Sequence, residues 1–174
     1  AKALARLSHP NVCHVYDVGT EGEELWIAME LIRGTTMRDW LGSRPSLREI
    51  MDILGGVARG LEAAHAAGMV HRDVKPENVL VERGGRPVVS DFGLAQVMDG
   101  TRSSALAGTP AYMAPEQLDG QSADARSDQY AFAVMAHEAL AGARPRPRDV
   151  ASATLAPNLR AVLERALSDD PSAR

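Results

Sequence analysis

The chain has 174 residues, 45% of them hydrophobic, with 19 Lys and Arg against 23 Asp and Glu for a formal net charge of −4. That length holds one domain with a sizeable core, and the mild acidity gives no electrostatic case for binding nucleic acid or an anionic membrane. Cys13 is the only cysteine, no run approaches 18 apolar residues and no signal peptide is visible, so the stretch reads as soluble, without an intrachain disulfide, in a reducing compartment.

The opening A-K-A-L-A-R-L reads as the last turns of a helix already under way, with neither an N-cap nor an initiator methionine, so an N-terminally truncated chain is expected. Two strand candidates follow, Val12 to Val18 and Leu25 to Met29, separated by T-E-G-E, whose Gly22 suits a turn. Next comes the connection M-E-L-I-R-G, Met29 to Gly34.

Ser46 and Glu49 in S-L-R-E form a capping box. Leu47, Ile50, Leu54, Val57 and Leu61 then recur at helical spacing and predict a buried stripe, and Gly68 ends the helix where a left-handed residue is favoured. Val79 to Val81 and Val88 to Ser90 flank R-G-G-R as a small hairpin. Ser127 to Leu140 is apolar almost all round, which predicts an interior helix. His137 on it reads as structural, because no ligand-spaced cluster accompanies it. Ala143 to Arg148 is a Pro/Arg-rich linker, and Leu159, Val162, Leu163, Ala166 and Leu167 predict an amphipathic helix before D-D-P-S-A-R.

The chemistry concentrates between His71 and Glu116: H-R-D-V-K-P-E-N (His71 to Asn78), D-F-G (Asp91 to Gly93) and G-T-P-A-Y-M-A-P-E (Gly108 to Glu116). Taken singly, Asp73 and Asp91 read equally well as solvated loop carboxylates, and His71 reads better as a hydrogen-bonded core histidine than as a base. In this order and spacing the motifs resemble those of bacterial eukaryotic-like (Hanks-type) Ser/Thr protein kinases.

The resemblance implies an α+β protein kinase-like fold, mostly the helical large lobe with the end of the small-lobe helix and its last two strands. Residues 1–29 would be the small-lobe remnant, 30–34 the hinge and 35–174 the large lobe. It implies transfer of the ATP γ-phosphate to protein Ser/Thr hydroxyls, with ATP and Mg²⁺ as cofactors and a protein substrate as partner. Asp73 would be the catalytic base, Lys75 a charge near the transferred phosphate, and Asn78 and Asp91 the oxygen ligands of Mg²⁺. Thr109 would bridge the catalytic loop to the segment that grips the residue after the phosphorylated one. Met29 would stand behind the adenine, the Glu30 carbonyl and Ile32 N–H would bind its edge, and Leu80 would lie beneath it.

By the same resemblance His71 packs on Phe92, in a stack continued by Leu4 and Val15. Asp128 holds the catalytic-loop backbone, and Arg174 pairs with Glu116. Arg72, just before Asp73, implies switching by phosphorylation in the loop Leu94 to Ala107, at Thr101 or Ser103, with Ser104 nearby. A cytoplasmic protein is implied, with any membrane anchor outside this stretch and no nucleic-acid partner.

Two departures stand out. The glycine-rich loop, the strand lysine and its glutamate partner are missing, since Lys2 and Lys75 are the only lysines; the fragment alone is therefore expected to be inactive. The Gly142 to Leu159 segment is short for the additional helix that contributes to substrate docking in the family. A scaffold-type pseudokinase is the reading from a different class, but intact Asp73, Lys75, Asn78 and Asp91 favour an enzyme.

Overall fold

The computed structural model describes residues 7–22, 24–92, 109–145 and 155–174. Strands β1 (Val15–Glu21) and β2 (Glu24–Met29) form an antiparallel hairpin with Val18 opposite Ile27, and Gly22 in the turn takes a φ of 63°. The first strand therefore starts later than the expected Val12 to Val18. Asn11 to Cys13 runs alongside the large body instead. The Cys13 N–H donates to Val89 O at 2.8 Å and the Val89 N–H donates to Asn11 O at 2.9 Å. Burial decides this, because Val12 is 2% exposed in its bridge to Val89.

A second sheet has the order β3 (Gly34–Thr36), β4 (Val79–Glu82), β5 (Pro87–Val89), all antiparallel. The expected hairpin is its β4–β5 half, shifted by a residue at its ends. Strand β3 and the short helix α1 (Met37–Leu41) that follows it were too brief to leave a periodic signal. β3 sits unusually close to β4: a Cβ on Gly34 would stand 2.1 Å from Val81 O.

Helix α2 (Leu47–Ala66) starts at the expected capping box, with the Ser46 N–H donating to Glu49 Oε2 at 2.7 Å and the Glu49 N–H donating to Ser46 Oγ at 3.3 Å. It ends in a Schellman motif, Gly68 N–H to His65 O and Met69 N–H to Ala64 O, both 2.9 Å, with Gly68 at a φ of 75°. Ile50, Ile53, Leu54, Val57, Leu61 and Ala64 are buried. Leu47 does not belong to that stripe. It is 64% exposed, because it occupies the first helical position, in the capping turn.

After α3 (Pro115–Leu118), helix α4 (Ala125–Ala141) runs through the interior. Asp124 caps it by accepting from the Arg126 and Ser127 N–H groups, and Gly142 closes it in the left-handed conformation. Ser127, Asp128, Ala131, Ala133 to His137 and Ala139 are all buried, as an apolar circumference requires. His137 is buried beside the Ala143 carbonyl, 2.9 Å from Nδ1.

Helix α5 (Pro157–Ala166) packs on α4 through Leu163 and Ala166, with Leu159 and Leu167 partly buried against the core. Val162 was expected on that face but is 57% exposed. The inward stripe of α5 is narrow, centred on Leu163 and Ala166 three positions apart, and Val162, about 100° round from Leu163, falls at its edge. Most of the short segment after Gly142 falls outside the described residues. No helix among the described residues is long and apolar enough to cross a membrane.

Candidate active site

The catalytic-loop sequence leaves α2 at Met69 and is held from behind by α4. Asp128, 1% exposed, accepts the backbone N–H groups of His71 and Arg72, each at 2.7 Å. His65 Nε2 stands 2.8 Å from the same carboxylate. A buried and a partly buried N–H group of a non-regular loop thus find acceptors, which a loop in this position needs.

His71 has both ring nitrogens engaged. Its Nδ1 accepts the Asp73 N–H at 3.2 Å, which leaves Nε2 to donate to Ser90 O at 2.8 Å. The ring lies 4.6 Å from that of Phe92, tilted by 55°. Imidazole therefore ties H-R-D to D-F-G and has no free nitrogen for proton transfer. Val15 is buried, and Leu4 lies outside the described residues.

Asp73, Lys75, Asn78 and Thr109 converge. Lys75 Nζ lies 2.6 Å from Asp73 Oδ2 and 2.8 Å from Thr109 Oγ1. The Thr109 N–H donates to Asp73 Oδ1 at 3.1 Å. Asn78 Nδ2 donates to Asp73 O at 2.9 Å and Oδ2 at 3.1 Å. The carboxylate is thus oriented from three sides by charge-assisted hydrogen bonds.

With its amide nitrogen committed to Asp73, Asn78 keeps its side-chain oxygen as an acceptor. The Ser90 N–H donates to Asn78 O at 2.9 Å, so the next residue, Asp91, is brought beside Asn78. Asp91 is exposed, has a φ of 61°, and accepts from Ser90 Oγ at 3.1 Å. One amide oxygen and one open carboxylate suit a hard, largely phosphate- and water-bound cation such as Mg²⁺.

The positions expected to form a hinge, Met29, Glu30 and Ile32, lead into β3, whose Thr36 pairs with Leu80 on β4. Met29 is 39% exposed at the end of β2, and Ile32 is half-buried. The Glu30 N–H donates to His14 O at 2.8 Å, while its carbonyl faces Cys13 Sγ at 3.7 Å. Leu80, half-buried on β4, pairs with Thr36 and Val88.

Arg72 is half-buried, at a φ of 72°, and its Nε has no hydrogen-bond partner among the described residues. Thr101, Ser103 and Ser104 lie outside the described residues. Arg174 meets Glu116 at 2.7 and 2.8 Å, and Ser127 Oγ donates to the same carboxylate at 2.7 Å. Burial pushes the Glu116 carboxyl upward, but the bonds from Arg174 and Ser127 outweigh it and hold the group below the usual carboxylate range.

Some supporting residues were invisible to motif reading. Gln117 Nε2 donates to Arg72 O at 3.1 Å. Arg38 on α1 binds Glu77 at 2.8 Å, Glu138 at 2.9 Å and the Tyr112 hydroxyl. Burial, with Glu138 alongside, pushes the Tyr112 hydroxyl up to about 12. These partners lie 39, 100 and 74 residues from Arg38, so no local pattern could announce them.

Comparison with known proteins agrees with this geometry. The protein kinase domain family matches residues 1–172. The serine/threonine-protein kinase PknA of Mycobacterium tuberculosis is 36% identical over 199 residues, covering 100% of this chain and 46% of its own length. PknL of the same species is 40% identical over 171 residues, covering 95% of this chain and 43% of its own length. A probable serine/threonine-protein kinase of Clostridium perfringens is 39% identical over 150 residues, covering 83% of this chain and 22% of its own length. The chain spans less than half the length of these relatives. Matched over residues 1–172 and 36–40% identical to PknA and PknL over nearly its whole length, the chain belongs to the protein kinase domain family.

Proposed function

We propose that the protein is a Ser/Thr protein kinase that moves the γ-phosphate of ATP to hydroxyls of protein substrates. Residues 35–174 form its large lobe, 30–34 its hinge and 1–29 the end of its small lobe. The observation that carries this reading is the Asp73 carboxylate, gripped by Lys75, Thr109 and Asn78.

A carboxylate fixed in this way orients a substrate O–H and accepts its proton as the oxygen bonds to phosphorus and the bond to ADP breaks. Lys75, between Asp73 and Thr109, puts a positive charge where the transferring group passes. The side-chain oxygens of Asn78 and Asp91 would hold Mg²⁺, which when bound neutralises phosphate charge. The Glu30 carbonyl and Ile32 N–H bind the adenine edge over Leu80, with Met29 behind it. Arg72, whose Nε has no partner among the described residues, receives a phosphate carried by Thr101 or Ser103. ATP supply places the reaction on the cytoplasmic side.

The test is phosphoryl transfer from γ-labelled ATP by the full-length protein, with itself and a basic protein mixture as acceptors. Mg²⁺-dependent label on Ser or Thr is the expected result. ATP binding without any transfer would overturn the reading in favour of a scaffold.

A further inference from the structure

Arg86 ends the turn between β4 and β5, and its guanidinium touches three separate parts of the chain. Its Nε lies 2.8 Å from Glu82 Oε2, and its Nη2 lies 3.0 Å from Glu82 Oε1 and 3.1 Å from Glu30 Oε1. Its Nη1 donates to Pro10 O at 2.7 Å. The turn delivers the side chain there: Gly85 has a φ of 81°, the Gly85 N–H donates to Glu82 O at 2.9 Å, and the Glu82 N–H donates to Arg86 O at 3.0 Å.

Glu30 is the first hinge residue, and its backbone N–H is already committed to His14 O. At the far end of the hinge, Gly34 lies so close to β4 that a Cβ would stand 2.1 Å from Val81 O. Leu31 to Arg33 is therefore tied at both ends to one hairpin, through Arg86 before it and through the β3–β4 pairing after it. The same hairpin carries Leu80 on β4.

We propose that Arg86 is a positioning residue for nucleotide binding, whose grip on Glu30 fixes the hinge over the floor at Leu80. This rests on the kinase reading above. Arg86 acts through Glu30 and does not touch the nucleotide. Without the grip, the hinge spends less time in the binding arrangement, and apparent affinity falls by that fraction. The planar fork matters: a lysine ammonium is a point charge and cannot hold Glu82 bidentately while reaching Glu30 and Pro10 O. Both partners of the Arg86–Glu30 pair are about a third exposed, at 34% and 29%. A pair this wet adds little to global stability, so its loss is read in binding rather than folding.

The experiment measures Mg·ATP affinity by calorimetry, and KM for ATP with kcat, in the full-length protein and its Arg86→Ala, Arg86→Lys and Glu30→Ala variants. Each variant is expected to weaken ATP binding by about 3–10-fold, as a reduced competent fraction does, and in the two Arg86 variants kcat at saturating ATP is expected to change by less than about twofold. The Arg86→Ala/Glu30→Ala double variant is expected to bind ATP no worse than the more weakly binding single, since both remove the same Arg86–Glu30 contact. Unchanged ATP affinity, fully additive losses, or a loss confined to kcat would overturn the proposal. Should Arg86→Ala fail to fold, Glu30→Ala still decides, because it leaves the Glu82 and Pro10 bonds in place. Wild-type protein that binds no ATP removes the kinase reading as well, whereas equal binding by wild type and variants removes only the role of Arg86.

Discussion

His65 and Asp128, 63 residues apart, meet with Nε2 2.8 Å from Oδ2, and the same carboxylate receives the N–H groups of His71 and Arg72. α2 and α4 are thereby joined at the point where the catalytic loop leaves α2. Truncation to Asp128→Ala strands two backbone donors beside a helix that is buried there. Each unsatisfied buried donor costs roughly 1–3 kcal/mol, and the Arg72 N–H is only partly buried, so a loss of about 2–4 kcal/mol is expected in denaturant unfolding. Asp128→Asn, which keeps one acceptor oxygen, should fall between. An Asp128→Ala protein within about 0.5 kcal/mol of wild type would show that water or a rearranged loop satisfies these donors.

Asp73→Asn tests the chemistry without disturbing the scaffold. The amide keeps one acceptor for the Thr109 N–H or the Lys75 ammonium, but it cannot take up a proton. In the full-length protein kcat is expected to drop by ~10²–10⁴-fold, the usual contribution of a positioned acid–base group. ATP affinity is expected to hold, since the contacts of Asp73 lie in the catalytic loop and at Thr109. Turnover within about threefold of wild type would remove Asp73 from the proposed role.

Legibility in the sequence followed the range of each interaction. The capping box at Ser46 and Glu49, the left-handed end at Gly68, and the interior helix around Met135 are local, and each follows from a pattern within a few residues. The catalytic-loop cluster was readable because Asp73, Lys75 and Asn78 lie close together and bring their spacing with them. Val12 misled because a β-branched residue at the end of a strand pattern can pair with either sheet, and only the buried edge of β5 decides. Leu47 and Val162 misled because apolar identity does not specify facing at a helix start or between adjacent positions. Arg38 and Arg86 stayed hidden because their partners are assembled only by the tertiary fold.

The Glu116–Arg174 pair gives a pH-dependent signature with a definite sign. Burial raises the Glu116 carboxyl and the Arg174 and Ser127 bonds lower it further, so its folded pKa lies below its unfolded one. The contribution to stability is complete above the unfolded value, about 4.3 for glutamate, and is lost as pH falls through the lower folded value. Glu116→Gln should therefore be less stable than wild type at neutral pH, and the gap should narrow as pH falls below about 4. Glu138 is also held low, by bonds from Arg38 and Tyr112 that outweigh its burial, but it is common to both proteins and cancels from the difference. Urea unfolding at a series of pH values checks this, and a gap constant with pH would contradict it.

Two glycines of α2 should respond to alanine with opposite signs. Replacing a helical glycine by alanine gains about 1 kcal/mol of helix propensity at either position. At Gly55 a Cβ meets only Arg59 Nη1 at 3.5 Å, an ordinary contact with a flexible side chain. Gly55→Ala is therefore expected to raise stability by about 0.5–1 kcal/mol. At Gly60 a Cβ would stand 2.6 Å from Asn11 O and 3.2 Å from Asn11 C. That carbonyl cannot swing aside freely, because it accepts the Val89 N–H at 2.9 Å in the run that carries Val12 into the core. Moving it weakens a buried hydrogen bond, while leaving it in place overpacks the helix contact, at about 1–3 kcal/mol. The clash outweighs the propensity gain, so Gly60→Ala should melt below wild type. Because Cys13, the residue beyond Val12, faces the Glu30 carbonyl, the same variant should also weaken ATP binding in the full-length protein. A Gly60→Ala protein that melts above wild type, as Gly55→Ala should, would mean that the Asn11 segment yields to the helix rather than being held against it.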